Sequence, residues 1–396
     1  MKKVLIVTEH FLPKLGGIEK SIYCISQELI KKNYEVTVLT NSFGVYKAKE
    51  SINGINVKRV TCKYNGYNIL YPFKLYFSFK KKLQKEKLVE YDFILARDAV
   101  SAAAALNLTD KKVIFLPGSI NRNYSKMQDV TGLVSIVKNL LRSLRYKFYY
   151  ILEKNVVKKS PIVMTYSENF KNEIQTEIFN RKIFVNKPGI TYIEKTKKEE
   201  NIRKKHNIAD EELIFLFLGK LIKVKNVDMI INAFLDAKIS NSKLLIVGDG
   251  DQKQHLQKMI PTDRKNDILF EGVKKNVFDY YKAADYFLAS AVYEPFGFVI
   301  LESLISKTPV IGFKRNFPTV KVAVEEMIVD NYNGIIIKNF TAEALKTALE
   351  KAAEIKKTSK YNDFKNNTVK ISETYNWDNF TSNLIKIAKD ELESKM

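Results

Sequence analysis

The chain has 396 residues, of which 45% are hydrophobic and 28% charged, and its formal net charge is +22. This length predicts two domains, because a single hydrophobic core rarely grows beyond about 250–300 residues. The composition indicates a globular protein, since no apolar run approaches the roughly 18 residues that a membrane-spanning helix needs. The two cysteines, Cys24 and Cys62, have the spacing of neither a disulfide framework nor a metal site, so we expect a reducing cytoplasm.

The positive charge is concentrated in the first half of the chain. Residues 1–190 contain 33 Lys and Arg against 15 Asp and Glu, whereas residues 191–396 contain 33 against 29. A general lysine bias would raise the charge of both halves alike, so the difference favours an anionic partner for the first half. Charge alone leaves a membrane surface, a lipid-linked phosphate and nucleic acid open.

Short apolar runs alternate with amphipathic segments along the chain, which predicts parallel sheets with helices on both faces. The predicted strands are Val4–Val7, Glu35–Leu39, Asp92–Leu95, Val113–Leu116, Ile162–Thr165, Leu213–Leu218, Lys243–Val247, Ile268–Phe270, Tyr286–Ala289, Pro309–Ile311 and Gly334–Ile337. The fold class is therefore α/β, with two doubly wound domains. We place the domains at 1–190 and 191–375, and residues 376–396 form a last helix.

A glycine pair, Gly16 and Gly17, lies between the first strand and an amphipathic helix predicted from Ser21 to Lys31. A tight turn or helix cap explains the pair as well as a binding loop does. The dinucleotide-binding pattern Gly-x-Gly-x-x-Gly is incomplete here and at Gly248-Asp-Gly250, which argues against a nicotinamide or flavin enzyme.

Two lysines follow the predicted strand Leu213–Leu218. Lys220 and Lys225 are five residues apart across the turn after Gly219, and they could converge on one phosphate group. The alternative is that both are solvated lysines of a lysine-rich chain.

Two carboxylates, Glu294 and Glu302, stand eight positions apart in a strand–loop–helix–strand segment. We expect Glu294 in the loop, at the mouth of a helix from Gly297 to Ser306, and Glu302 about one and a half turns inside that helix. A helix N-terminus suits a phosphate, because its first backbone N–H groups lack intrahelical partners. The alternatives are surface charges, or the carboxylate pair of a glycosidase, which needs a separation of about 5–5.5 Å in retaining enzymes.

This segment resembles the E-x7-E motif of retaining glycosyltransferases of family 4 (glycosyl transferases group 1), which have the GT-B fold. Other segments are similar to further motifs of that family, in the same order, over nearly the whole chain. They are Pro13–Glu19, Leu216–Lys220 with Lys225, Leu244–Gly250 and Phe270–Val273.

The resemblance implies two Rossmann-like domains that face each other across a cleft, and a last helix that packs back on the first domain. It implies an acceptor-binding domain at 1–190 and a nucleotide-sugar-binding domain at 191–375. The catalytic candidates are Glu294, which would bind donor-sugar hydroxyls, and Lys225, which with Lys220 would bind the diphosphate. The remaining donor-binding candidates are Gly17, Val273 at the base, Phe296, Gly297, Phe298, Val299, and Glu302 at the ribose.

On the acceptor side, the candidates are Gly16, Arg97 and Arg122, although a structural pairing explains Arg97 equally well. Many members of the family have an active-site histidine in the segment that corresponds to Leu116–Tyr124, and this chain has none there. The identity of any catalytic base therefore stays open. We expect no metal and no cofactor, with a UDP- or GDP-sugar as the donor substrate.

Two basic, apolar stretches lie in the first half. Residues 63–87 contain seven lysines and one acid interleaved with aromatic residues, which favours contact with an anionic membrane surface. Residues 137–152 have apolar residues at helical spacing among Lys and Arg, and an ordinary packed helix explains them equally well. Nucleic acid also suits basic and aromatic surfaces, but we expect none because no recognised nucleic-acid module is present.

The leading hypothesis is a retaining, metal-independent glycosyltransferase of polysaccharide biosynthesis, acting on a lipid-linked or cell-surface glycan acceptor. We expect it in the cytoplasm, peripheral on the inner face of the cytoplasmic membrane. One alternative is a nucleotide-sugar epimerase or hydrolase that acts without an acceptor. The other is a non-catalytic basic protein that binds membranes or nucleic acid.

Overall fold

The computed structural model describes residues 2–13, 16–63, 70–110, 112–120, 133–190 and 200–393. The chain divides into two compact units. The first unit comprises Met1–Thr191 together with Tyr375–Met396, and the second comprises Tyr192–Thr374. Each unit has a mainly parallel sheet and several helices, which confirms the predicted α/β fold class.

The first unit contains an eight-stranded sheet. Its strands are β1 (Lys2–Val7), β2 (Tyr34–Asn41), β3 (Lys49–Ile52), β4 (Ile55–Val60), β5 (Phe93–Ala96), β6 (Val113–Phe115), β7 (Ile162–Thr165) and β8 (Phe184–Val185). Their order in the sheet is β3-β4-β2-β1-β5-β6-β7-β8, and every pair is parallel except β3 and β4. The side chains of Val4–Val7 in β1 are fully buried, as expected for a central strand covered on both faces.

In the described part of the first unit, five helices connect these strands: α1 (Gly17–Lys31), α2 (Tyr71–Leu83), α3 (Ala99–Leu106), α4 (Leu133–Lys159) and α5 (Glu168–Glu177). Side-chain caps fix two of their beginnings. Asp98 accepts a hydrogen bond from the Ser101 amide at the start of α3, and Ser167 accepts one from the Phe170 amide at the start of α5. Among the described residues, no helix combines the length and the apolar character that crossing a membrane requires.

The second unit contains a six-stranded parallel sheet in the order β11-β10-β9-β12-β14-β16, and β13 and β15 form a separate parallel pair. The strands are β9 (Leu213–Leu218), β10 (Ser242–Val247), β11 (Ile268–Gly272), β12 (Tyr286–Ala289), β13 (Tyr293–Glu294), β14 (Val310–Phe313), β15 (Lys321–Val322) and β16 (Gly334–Ile337). The helices are α6 (Ile202–Lys205), α7 (Val227–Ala237), α8 (Lys253–Lys258), α9 (Phe278–Ala283), α10 (Phe298–Ile305), α11 (Ala342–Lys356), α12 (Lys360–Thr368) and α13 (Ile371–Thr374).

The last helix, α14 (Trp377–Glu393), belongs to the first unit and packs against α1. The Asn186 side-chain amide donates to the Phe380 carbonyl at 2.9 Å, and the Lys32 ammonium contacts the Asp378 carboxylate at 2.5 Å. A side chain at Gly189 would collide with the Trp377 backbone and ring, so only glycine allows this close approach.

Three features differ from the expectations. The β3–β4 hairpin was not predicted, because β3 is short and charged. Glu294 lies in β13 rather than in a loop, because β13 pairs with β15, a segment that follows it by almost thirty residues. The short edge strand β8 was also not predicted, since two residues carry no periodic signal.

Candidate active site

The backbone around Lys225 is held by the segment that follows β12. A 3-10 turn spans Lys223–Lys225, and the Ser290 hydroxyl donates to the Lys225 carbonyl at 2.5 Å. The Val292 amide donates to the Val224 carbonyl at 3.1 Å. Asn226 then adopts a left-handed conformation with φ of 47°, which asparagine tolerates better than most residues, before α7 begins. These contacts place Lys225 beside the carboxyl ends of β9 and β12, where ligands bind in open α/β sheets.

Lys225 and Glu294, the two predicted catalytic residues, are in direct contact. The Lys225 ammonium forms an ion pair and hydrogen bond with Oε2 of Glu294, and the two side chains are 16% and 21% exposed. The pairing of β13 with β15, in which Glu294 is opposite Val322, fixes the backbone of Glu294. Both charges are therefore preorganised and remain partly accessible to a ligand.

Helix α10 begins four residues after Glu294, and Gly297 is its cap position. Gly297 has φ of 91°, a left-handed conformation that favours glycine, and a Cβ atom there would come within 3.0 Å of Ile300 Cδ1. Phe296 is buried and its ring lies 5.0 Å from that of Phe298. The first turn of α10 contains Phe298 and Val299, and Val299 lines the same cavity as Lys225 and Glu294. The start of a helix at such a position would suit a phosphate group.

Glu302 lies in the same helix but in a different environment. Its side chain is buried, and its Oε2 accepts a hydrogen bond from the Tyr281 hydroxyl at 3.3 Å. Burial, with the nearby Glu302 carboxylate, raises the pKa of Tyr281, so this hydroxyl stays protonated and remains a donor. Tyr281 holds the predicted ribose-binding carboxylate in place, and the sequence patterns did not indicate this role.

Backbone hydrogen bonds join the loops after three neighbouring strands. The Gly219 amide donates to the Val247 carbonyl at 3.0 Å, and the Gly248 amide donates to the Gly272 carbonyl at 2.9 Å. A Cβ at Gly248 would lie 1.9 Å from the Gly219 carbonyl oxygen, so only glycine fits there. The predicted donor residues Lys220 and Val273 extend from these loops into solvent, and Val273 is 76% exposed.

An ionic cluster centred on Glu271 anchors the loop that contains Val273. The Glu271 carboxylate accepts a hydrogen bond from the Tyr280 hydroxyl at 2.5 Å and pairs with Lys205 and Lys274 at 3.1 and 2.9 Å, and the His206 Nε2 atom lies 2.8 Å from it. Burial alone would raise the pKa of Glu271, but the hydrogen bonds from Tyr280 and the lysines, with the nearby imidazole, lower it to about 2. This cluster was not predicted from the sequence. Its one local signal is Lys274, three residues after the carboxylate.

The first-unit candidates are placed differently. Gly17 is exposed as the first residue of α1, after the cap position Gly16, where a Cβ would come within 2.5 Å of the Glu19 carboxylate. Arg97 is only 2% exposed, and its Nη1 donates to the Leu116 carbonyl at 2.6 Å. Its structural pairing is observed, and its contact with an acceptor stays a prediction. Arg122 lies outside the described residues.

Arg97 connects the ends of several strands of the first unit. It follows β5, its guanidinium lies 5.1 Å from the centre of the Tyr166 ring, and its Nη2 is 3.5 Å from the Ser21 hydroxyl. Burial lowers the pKa of Arg97 despite the nearby Tyr166 and acidic groups. The next residue, Asp98, accepts hydrogen bonds from the Glu9 amide and the Ser101 hydroxyl at 2.8 and 2.7 Å, yet burial raises its pKa.

The chain matches two protein families, glycosyl transferases group 1 over residues 198–371 and glycosyltransferase family 4 over residues 15–191. It is 28% identical to an uncharacterized glycosyltransferase of Methanocaldococcus jannaschii, over 78% of this chain and 80% of that one. It is 25% identical to the alpha-monoglucosyldiacylglycerol synthase of Streptococcus pneumoniae, over 78% of this chain and 70% of that one.

Among solved structures, the fold is similar to that of Anabaena HepE in complex with UDP and glucose. The TM-score is 0.74 and the identity 16%, over 98% of this chain and 100% of that one. The family matches cover both units, and the structural likeness confirms the two Rossmann-like domains. The chain therefore belongs to the glycosyltransferases with the GT-B fold, of the group 1 and family 4 type.

Proposed function

We propose that this glycosyltransferase moves a sugar from a nucleotide-sugar to a lipid-linked or cell-surface glycan acceptor, with retention of the anomeric configuration. The observation that carries the proposal is the contact between Lys225 and Glu294 beside the first turn of α10. A cation at a helix N-terminus suits the negatively charged diphosphate of a nucleotide-sugar. A carboxylate suits the hydroxyl groups of the sugar, which donate hydrogen bonds. The relative that synthesises alpha-monoglucosyldiacylglycerol supports a lipid acceptor.

In the proposed reaction, Lys220, Lys225 and the N–H groups of Phe298 and Val299 bind the donor diphosphate. These groups would supply the positive charge that a divalent cation supplies in other enzymes. The bond between the anomeric carbon and the diphosphate oxygen breaks, and its electron pair leaves with the nucleoside diphosphate. Preorganised positive charge lowers this barrier, because negative charge develops on the leaving group.

Glu294 accepts hydrogen bonds from donor-sugar hydroxyls, and Glu302, held by Tyr281, accepts them from the ribose. An acceptor hydroxyl forms the new bond on the face from which the diphosphate leaves, and its proton passes to a phosphate oxygen of the leaving group. This route uses no histidine in the Leu116–Tyr124 segment, in agreement with the sequence there.

The test is a thermal-stability screen with UDP-, GDP- and ADP-sugars, because a ligand that binds the native state alone raises the apparent stability. We expect one nucleotide series to raise the melting temperature of the wild type. Lys225→Ala should lose most of this shift. Lys223→Ala, which removes an exposed lysine from the same turn, should keep it.

Equal shifts for the two variants, or no shift with any nucleotide-sugar, would overturn the assignment of the donor site. NMR of the product made from the stabilising donor then tests retention, since an inverted anomeric centre excludes the proposed stereochemistry. Release of free sugar without any transfer would indicate a hydrolase instead.

The acceptor hypothesis places the protein at the cytoplasmic face of a membrane. The excess of basic residues within 1–190 supports an anionic partner there, since lysines near an anionic bilayer contribute about 1 kcal/mol each. Fractionation of cells into membrane and soluble material, at low and at high salt, checks this location. A protein that remains soluble at low salt would contradict it.

A further inference from the structure

Helix α2 has an outward face that combines large apolar side chains with lysines. Phe73 and Phe77 on the helix, and Leu70 just before it, are exposed to between 43% and 62%. Lys74 and Lys81 are exposed on the same face, since they follow Leu70 and Phe77 by one helical turn. The helix contains four lysines and no acidic residue. Exposed apolar side chains that form a contiguous patch mark a contact surface.

Helix α4 has a similar outward face over its described side chains. Leu144 and Ile151 are 46% and 59% exposed, and half-buried Phe148 lies between them on the helix surface. Lys147 and Lys154 are exposed next to them. Glu153, the one acidic residue in the sequence of the helix, is buried. The exposed part of this face is therefore apolar and positively charged, as on α2.

The two faces are continuous in space. The rings of Phe73 on α2 and Phe148 on α4 lie 4.4 Å apart, and both helices pack on α3. The outward apolar side chains thus form one surface, which we call the α2–α4 face. Its members are Leu70, Phe73, Phe77, Leu144, Phe148 and Ile151.

We propose that the α2–α4 face docks on a lipid bilayer that contains anionic headgroups. The apolar side chains enter the interface, and the surrounding lysines contact the headgroup phosphates. The proposal rests on the proposed function, because an enzyme with a lipid-linked acceptor must meet its substrate at the membrane. It goes further, since it names the side chains that make the contact and joins two stretches that are distant in the sequence.

Charge decides between a bilayer and a second copy of the chain. A symmetric dimer through this face would place its own lysines, Lys74, Lys81, Lys147 and Lys154, against the same lysines of the other copy. Like charges in contact oppose association, whereas an anionic surface is complementary to all of them. The bilayer is therefore the favoured occupant.

Cosedimentation with phosphatidylcholine vesicles, with and without phosphatidylglycerol, tests the proposal on the full chain. We expect binding to the vesicles with phosphatidylglycerol, and a decrease in binding as salt rises. Lys74→Glu with Lys81→Glu should weaken the partition coefficient by about 30-fold, from about 1 kcal/mol for each lysine. Lys386→Glu with Lys389→Glu, on α14 of the same unit, makes an equal change of charge at exposed positions and should have little effect.

An apolar pair of variants tests insertion. Phe77→Ala should weaken vesicle binding by roughly tenfold, because part of a large apolar side chain is no longer transferred from water. Val89→Ala, at another highly exposed apolar position of the first unit, should leave binding unchanged. Equal losses in the two lysine pairs, no loss with Phe77→Ala, or no binding of the wild type would each overturn the proposal.

Two further measurements separate this inference from the proposed function. Nucleotide-sugar stabilisation of the Lys74/Lys81 and Phe77 variants should equal that of the wild type, so failure of the donor site and failure of the face give different results. Sedimentation velocity without lipid tests the other occupant, since a concentration-dependent dimer abolished by Phe77→Ala would assign the face to a second copy and reject the bilayer.

Discussion

The carboxyl edges of the two sheets hold charged side chains that have different kinds of partner. In the first unit, Arg97 is buried and donates to a main-chain carbonyl, and Asp98 accepts from main-chain amides. In the second unit, Lys225 and Glu294 are partly exposed and pair with each other. A charge that bonds to the backbone supports the architecture, whereas two charges that neutralise each other in reach of solvent can exchange their partner for a ligand. Both kinds of charge lie at the carboxyl edge of a doubly wound sheet, so position does not distinguish a structural charge from one that is available to a ligand. The group to which the charge bonds does distinguish them.

Lys225→Ala is the strongest test of the inference that the Lys225–Glu294 pair of the second unit is available to a ligand. We expect kcat/KM for transfer to fall by a factor that corresponds to about 3–4 kcal/mol, because the charge binds the donor diphosphate and also stabilises the negative charge that develops on the leaving group in the transition state. The melting temperature should fall only modestly, since the remaining Glu294 carboxylate is 21% exposed and water can solvate it. Steady-state kinetics with the donor found by thermal screening measure the first quantity, and Lys223→Ala is the control. A variant with wild-type kcat/KM would place the diphosphate elsewhere.

Arg97→Met should mainly lower stability. We expect the free energy of unfolding of the first unit to fall by about 3 kcal/mol. The substitution leaves the buried Leu116 carbonyl without its charged donor and the nearby acidic groups without a counterion. Trp377, the one tryptophan of the chain, lies near Tyr166 and belongs to the first unit, so its fluorescence reports this unfolding separately. An unchanged Trp377 transition combined with lost transfer activity would show that Arg97 contacts the acceptor.

The proximity of the second-unit candidates could be predicted from the sequence, and their binding of a donor stays a prediction. Glu294, Gly297 and Glu302 lie on one strand–helix segment that follows β12, and Lys225 follows β9, the neighbour of β12 in the sheet. The burial of Arg97 was not predictable in this way. It depends on Leu116 and Tyr166, which come from two other strand ends.

The missed β3–β4 hairpin did have a local signal. Asn53 and Gly54 connect the strands with φ of 48° and 81°, the two positive values that an Asn-Gly hairpin turn favours. The β13–β15 pair had none, because two-residue strands have no periodicity. The ring contact between Phe73 and Phe148 likewise joins residues that no sequence pattern relates.

Glu271 differs from Glu294 within the second unit, because its carboxylate is held by a cluster of partners rather than available to a ligand. Its pKa of about 2 lies below the ordinary value of 4.5, so it stabilises the fold above about pH 4.5, and this contribution is lost as the pH falls toward 2. Glu271→Gln should therefore be less stable than the wild type at neutral pH, by about 2 kcal/mol.

Urea unfolding followed by circular dichroism at several pH values tests this prediction. The difference between the wild type and Glu271→Gln should shrink as the pH falls from about 4.5 toward 2. A difference that is independent of pH would show that the charge of Glu271 does not stabilise the second unit.

Tyr281→Phe should have the smallest effect of these substitutions. It tests whether Glu302 must be held in place in order to bind the donor. The substitution removes the hydroxyl that donates to Glu302 Oε2, so the carboxylate loses its fixed position but keeps its charge. We expect donor affinity to weaken several-fold, corresponding to about 1 kcal/mol for one hydrogen bond, with kcat nearly unchanged.

Glu302→Gln should weaken donor binding further, and Glu294→Gln should reduce kcat more than either. Tyr286→Phe is the matched control, because this buried hydroxyl has no hydrogen-bond partner in the described part of the chain. Calorimetric titration with the nucleotide alone and with the nucleotide-sugar measures both affinities. If Tyr281→Phe binds the nucleotide as tightly as Tyr286→Phe does, Glu302 does not depend on Tyr281 for its position at the ribose.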